Sequence, residues 1–467
     1  MPLHQDRLFP ADPATRAVAR QLFATVEKLP ILSPHGHTDP RWYALNEAFP
    51  DPATLLIQPD HYIFRMLYSQ GIALEALGIP RKDGAPVEQD SRKIWRLFAD
   101  HWSLFRGTPT QLWLEHTLAT VFDIVLPLGP RTADAIFDQI SDKLGTPALR
   151  PRALFEKFNI EAISTTDSAL DPLKWHDMIA ASGWGGRVIP AYRPDNVVDP
   201  EFEGFAANLD TFAQITGEDT GSWKGYLAAH VKRRADFKAR GATASDHGHR
   251  TARTADLSTA DASKLFDKAR KGKCSPEEAD LFRGQMLTEM ARMSLDDGLV
   301  LQIHPGSFRN HNSQIFAEFG RDMGADMPTA TNYVDGLRPL LNALGNERNL
   351  TVIAFTLDEN TYSRELAPLA GHYPALRLGP PWWFFDSPEG MKRFRESTTE
   401  TAGFYNTVGF NDDTRAYLSI PARHDVARRC DCAYLAQLVT EHRLSEEDAA
   451  ELAQDLAYGL AKKAYKL

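Results

Sequence analysis

The sequence predicts an α/β protein, a (β/α)8 TIM-type barrel with a helical insertion after the first strand. Three observations predict it. Eight short β-like runs are separated from one another by helical sequence. Histidines, aspartates and arginines collect at the C-terminal ends of those runs. Residues 40–155 form one block of large apolar and aromatic side chains at helical spacing. Alternating strands and helices build a parallel sheet, and eight such units match a closed barrel. A chain of 467 residues would suit three domains at about 150 residues each, but α/β barrels routinely exceed that size. The expectation is one distorted barrel domain over 1–467, with 40–155 as a cap within it.

Each element has its own signal. Asp12-Pro13 opens the first helix, since Asp is a good cap and Pro fits the first helical position. The first strand, Pro30 to about Ser33, is short and apolar and delivers His35 and His37 at its end. Trp42, Phe64, Trp95, Phe98, Trp102, Trp113 and Phe122 then recur at a spacing that suits core packing. Further strands are expected at 159–167, 186–195, 241–248, 299–306, 350–359, 374–383 and 405–413. Ser275-Pro276-Glu277-Glu278 reads as a capping box ahead of an apolar-periodic run to Met293. Ser445 caps a last helix within 444–467, expected to pack on the barrel exterior.

Composition limits the function. There are 52 basic and 62 acidic side chains, a net charge of −10. A nucleic-acid or anionic-membrane partner would favour a basic excess. Apolar residues at 43% and charged ones at 24% are the proportions of a globular protein. Cys274, Cys430 and Cys432 are too few for a disulfide framework and read as indifferent thiols. The first residues carry no apolar run of signal-peptide length, and no window reaches the ~18 apolar residues of a membrane span. The expected location is the cytoplasm. Neither a GxGxxG nor a GxxxxGK[ST] phosphate motif is present.

In a barrel the chemistry sits at the C-terminal strand ends. The first run supplies His35 and His37, which flank Gly36 and at a period of two point to one side. The third supplies Arg193 and Asp195, the fourth Asp246, His247 and His249, and the fifth His304, with Arg309 just beyond. The seventh supplies Trp382 and Trp383, and the eighth Asp412, Asp413 and Arg415. The first and eighth strands are neighbours in a closed barrel. Two imidazoles and one carboxylate there suit Zn2+, Mn2+ or Fe2+ and leave a position open for a substrate oxygen. Three arginines at one mouth suggest an anionic substrate, a carboxylate above all. Tyr62, in PDHYIFRML, reads either as a lid group or as a packed aromatic.

LSPHGHTDP, PDHYIFRML, IPAYRPDN, LQIHPGSFRNHN, PPWWFFD and GFNDDTRAYLSIPARHD follow one another over nearly the whole chain. In that order they resemble the uronate (glucuronate) isomerase family of the amidohydrolase superfamily. The resemblance implies interconversion of a hexuronate aldose and its ketose: D-glucuronate with D-fructuronate, and D-galacturonate with D-tagaturonate. It implies His35, His37 and Asp413 around one divalent metal, zinc being the first choice. It also implies Tyr62, Arg193, Asp246, His304, Trp382 and Arg415 around the sugar, with His304 open to either role. Two departures stand out. Asp412 precedes Asp413 where relatives usually have Thr, and spacing to Arg415 favours Asp413 as the metal residue. Gly36 stands where many relatives have Cys, with little effect expected.

The expected chemistry is proton transfer through a cis-enediolate, with Asp413 as base and Tyr62 or His35 relaying a hydroxyl proton. Arg193 or Arg415 pairs with the substrate carboxylate, and Trp382 offers the sugar an apolar face. A hydride shift stays open. Other readings are a metal-dependent amidohydrolase or lactonase, and a non-catalytic sugar-acid-binding barrel. The expected partner is a small hexuronate, with self-association into a homo-oligomer also open.

Overall fold

The structure is a computed structural model that describes residues 3–467. Nine strands run in chain order: β1 (Ile31–Ser33), β2 (Ile160–Ser168), β3 (Arg187–Arg193), β4 (Ala244–His247), β5 (Val300–Ile303), β6 (Ser307–Phe308), β7 (Met327–Pro328), β8 (Val352–Ala354) and β9 (Leu376–Leu378). Seven of them form one parallel sheet in the order β1-β2-β3-β4-β5-β8-β9, each neighbour reached through helices. This is the α/β barrel architecture expected from the sequence. The β2–β3 ladder is the longest, running from Ala162–Arg187 to Ser168–Arg193.

The eighth expected strand departs from that pattern. Residues 405–413 form no ladder. They touch β9 through one bridge, Leu378 to Thr407, and the Thr414 carbonyl accepts the His37 N–H at 3.0 Å. So the segment closes the gap between β9 and β1 with single hydrogen bonds. Two positive-φ residues break its extension, Gly409 at 72° and Asp413 at 36°. A Cβ at Gly409 would lie 2.8 Å from the Leu456 carbonyl oxygen, so the chain there runs against a helix backbone. A second feature has no sequence signal: β6 and β7 pair as a small antiparallel hairpin after β5. Its loop carries Arg309, Asp322 and Asp326.

Helices fill the stretch from Pro40–Leu45 to Pro151–Lys157, between β1 and β2. The aromatic spacing there is packing. Trp95, Phe98, Phe105 and Phe122 are wholly buried in one apolar cluster with Ile31 and Ile160. The Trp95 indole N–H donates to the Ala133 carbonyl at 2.9 Å, so its polar atom costs nothing inside. The start signals also hold: Asp12 accepts the Thr15 N–H at 2.8 Å, and Ser275 with Glu278 forms the full capping box.

The last helix packs on the outer helices as expected, with Leu452, Leu456 and Leu460 against Leu22, Phe23 and Leu435, and departs from the expectation only at its end. Ser445 caps it, but its end does not lie outside the barrel. Tyr465 is wholly buried with Ala244, Val300, Ile353 and Val408. Its hydroxyl donates to Gln302 Oε1 at 3.0 Å and accepts from Asn411 Nδ2 at 3.2 Å. Tyr465 therefore plugs the interior, below the strand ends that carry the polar residues. Among the described residues, no helix is long and apolar enough to cross a membrane.

Candidate active site

At the C-terminal end of the sheet lies a cavity of about 530 Å³. That is a size typical of small-molecule sites. His35, His37, Tyr62, Arg193, Asp246, His304, Arg309, Trp382, Asp413 and Arg415 all line it. These residues come from the ends of β1, β3, β4, β5 and β9, from the β6–β7 hairpin, from the closing segment and from the insertion, so the curled sheet is what assembles them.

His35 and His37 follow β1 and turn both Nε2 atoms on one oxygen, Asp413 Oδ1, at 3.3 and 3.1 Å. Bonds of ~2.0–2.1 Å around a tetrahedral ion put neighbouring donor atoms roughly 3.3 Å apart. The two histidine–aspartate contacts already have about that spacing, and all three donor atoms lie within 4.8 Å of one another. The left-handed backbone at Asp413 turns its carboxylate back toward β1. Burial alone would raise the Asp413 carboxyl. The charge of His35 and the hydrogen bonds of both histidines outweigh it and hold the pKa well below the usual value. Burial lowers His37 to about 4, so that ring is neutral at pH 7. For His35 the burial effect is overcome by the charges of Asp413 and Asp246, and its pKa rises.

Asp412 is the other member of the pair, and it faces away. It is fully buried and accepts from His424 Nε2 at 3.1 Å. Arg423 donates to its carbonyl at 3.3 Å and to the carboxylate of Asp386, and lies 3.6 Å above the Trp113 ring. This buried network holds the 411–415 turn from behind. Burial raises Asp386 to about 7 despite Arg423.

A second group borders the first. Asp246 Oδ1 binds His304 Nδ1 at 2.6 Å, and Asp246 Oδ2 lies 3.3 Å from Arg193. The His304 ring is sandwiched between His35 at 4.7 Å and Phe355 at 3.9 Å, and Trp382 meets its edge at 4.9 Å. His304 Nε2 is buried with no partner. His35, Asp246 and His304 could also gather an ion. However, Asp246 Oδ1 is held by His304 Nδ1, and Arg193 lies 3.3 Å from Asp246 Oδ2. In the His35–His37–Asp413 group both imidazoles turn on one carboxylate oxygen.

The arginines differ in freedom. Arg193 is held by Asp195 at 2.8 Å as well as by Asp246. Arg309 pairs with Asp326 at 3.1 Å. Arg415 is the most exposed of the three, and its ion pair, with half-exposed Asp322, is loose at 3.3 Å. Tyr62 is nearly buried and donates to the Trp383 carbonyl at 3.1 Å. Burial lifts its pKa far above the ordinary value, so it offers a neutral hydroxyl.

Several lining residues escape the sequence reading. His61 packs 4.3 Å from the Trp383 ring, and burial drives its pKa to about 3. His61 lies beside the singled-out Tyr62 within the motif PDHYIFRML, whereas Trp383 was already read at the end of the seventh run. Asp322 and Asp326 have no such neighbour, because the hairpin that brings them in has no periodic signal.

The family model described as glucuronate isomerase matches residues 13–465. A uronate isomerase of Brucella canis is 66% identical over 467 residues, which is 100% of each chain. The crystal structure of glucuronate isomerase from Caulobacter crescentus is 60% identical, with a TM-score of 0.98 over 99% of this chain and 97% of that one. A uronate isomerase structure from Thermotoga maritima is 26% identical, with a TM-score of 0.92 and full coverage of both chains. Sequence and structure agree along the whole length, and the chain belongs to the uronate isomerase family of enzymes.

Proposed function

We propose that this protein interconverts D-glucuronate with D-fructuronate and D-galacturonate with D-tagaturonate at a mononuclear divalent-metal site. The observation that carries this reading is the convergence of His35, His37 and Asp413 on one point beside a cavity rimmed by arginines. The three residues fit a borderline cation such as Zn2+, with Mn2+ or Fe2+ as alternatives. When bound, that ion polarises the substrate's carbonyl and hydroxyl oxygens and offsets the charge that develops on them.

Arg415 is best suited to receive the substrate carboxylate, because a ligand need displace only the loose Asp322 pair. Arg193, fixed between two acids, serves to orient hydroxyls rather than to swing onto the substrate. Asp413 takes the C2 proton of the open-chain aldose, leaving a cis-enediolate. The same proton, or one from solvent, returns to C1, while the Tyr62 hydroxyl relays the proton between O2 and O1. No net proton or electron is gained. His304 Nε2, buried and unpartnered, is available to a sugar hydroxyl, and Trp382 covers an apolar sugar face.

The test is incubation with D-glucuronate or D-galacturonate in D2O with detection of ketose. Ketose carrying deuterium at C1 supports the enediolate route, and unlabelled ketose points to hydride shift or a shielded proton. No ketose with metal supplied overturns the assignment in favour of hydrolysis. Stripping divalent ions with a chelator is expected to abolish turnover, with recovery on adding Zn2+, Mn2+ or Fe2+. Full activity after verified metal removal would refute the metal role.

A further inference from the structure

We propose that Asp195, His247 and His249 form a second divalent-cation site, distinct from the His35–His37–Asp413 group and independent of the isomerase reading. The donor atoms of the three side chains lie within 4.8 Å of one another. His247 is 1% exposed and His249 is 5% exposed. Neither ring has a hydrogen-bond partner on either nitrogen. A neutral imidazole carries one donor and one acceptor, so two buried rings with no partner leave four polar atoms unmet. A cation takes the unprotonated nitrogen of each ring and so meets two of those four atoms, and two imidazoles with a carboxylate are a donor set for zinc, manganese or iron.

The carboxylate is in place for this role. Asp195 Oδ1 accepts only the Gly248 N–H, at 3.2 Å, and keeps lone pairs free. Asp195 Oδ2 takes Arg193 at 2.8 Å. Gly248 lies between the two histidines, and a Cβ there would fall 2.3 Å from Arg193 Nη2 and 3.0 Å from Arg309 Nη2. Those two arginines disfavour a cation, and Asp195 and Asp246 offset them. The site ties the end of β4 to the residue that aims Arg193. Its ion is a positioning group, away from the reacting atoms.

Equilibrium dialysis of the full-length protein against Zn2+ or Co2+, followed by elemental counting, is the test. Two ions per chain are expected in the parent. His249→Gln and Asp195→Asn should each fall to one, as should His35→Ala, and His35→Ala combined with His249→Gln should fall to none. Unchanged circular dichroism verifies the fold of each variant. An ion count that is unchanged from the parent in both His249→Gln and Asp195→Asn overturns the proposal, whether the parent holds one ion or two. Because the readout is stoichiometry, absence of isomerase activity would leave it unaffected.

Discussion

Gly36 and Gly248 each separate two histidines, yet their surroundings differ. A Cβ at 36 meets Ser164 O, Ser33 Oγ and Thr414 O at 3.6 Å, which is ordinary contact. A Cβ at 248 strikes Arg193, which Asp195 and Asp246 prevent from moving aside. Gly36→Ala is expected to keep kcat/KM within about twofold. Gly248→Ala is expected to lower it on the order of tenfold to a hundredfold, as misplaced orienting groups do. Steady-state kinetics on the two variants checks both, and equal effects would contradict the account. Asp167, another buried cavity residue, gives a pH prediction. Burial raises its pKa to about 7 from 3.8. Between about pH 4 and 7 an unfolded chain releases this proton and the folded protein retains it. Stability therefore falls as pH rises through that window and levels off above about 7. Asp167→Asn should remove that slope and exceed the parent at pH 8 by on the order of 2–4 kcal/mol, as read by denaturant unfolding. A parent whose stability rises across the same window would refute it. At this scale the sequence was most legible where a motif and a strand end coincided. His35 and His37 were found that way, and Asp413 through its motif alone. Asp322 and Asp326 were not, because residues in an irregular hairpin leave no periodic trace.

The barrel strands were legible as apolar runs, although the ladders are shorter than the runs. The 350–359 run, for example, keeps ladder bonds only at Val352–Ala354. The remainder of such a run bends into the loop that carries the chemistry. The eighth run was read as a strand because its apolar residues are real and buried. What sequence could not convey is that a close approach at Gly409 and the left-handed turn at Asp413 break its pairing. The consequence is uneven closure. β2 and β3 are joined along seven residue pairs, whereas 405–414 meets its neighbours through isolated bonds. Hydrogen exchange should be faster for the amides of 405–414 than for those of 162–168, because fewer bonds must open together. Equal protection in the two segments would contradict this.

For the molecule as a whole, strand–helix alternation was enough to give the architecture and to locate the cavity. It was not enough to show where the last helix ends, since an amphipathic tail can cover a barrel or fill it. Tyr465 fills it. Tyr465→Ala should cost about 3–5 kcal/mol, the usual effect of emptying a large aromatic site, and chemical denaturation would measure it. A loss below about 1 kcal/mol would mean that the plug is dispensable.

The plug also bears on timing. Chains are synthesised at ~5–20 residues per second, so roughly 20–90 s separate the emergence of β1 from that of Tyr465. Through that interval the barrel lacks its plug, and for most of it the closing segment too. The helices between β1 and β2 are made early and carry their own apolar cluster, but Val300, Ile353 and Gln302 wait for a partner that is made more than 100 residues later. Barrel completion in this protein thus cannot precede the synthesis of Tyr465. A nascent chain stalled before residue 465 would present an unfilled barrel to chaperones and proteases.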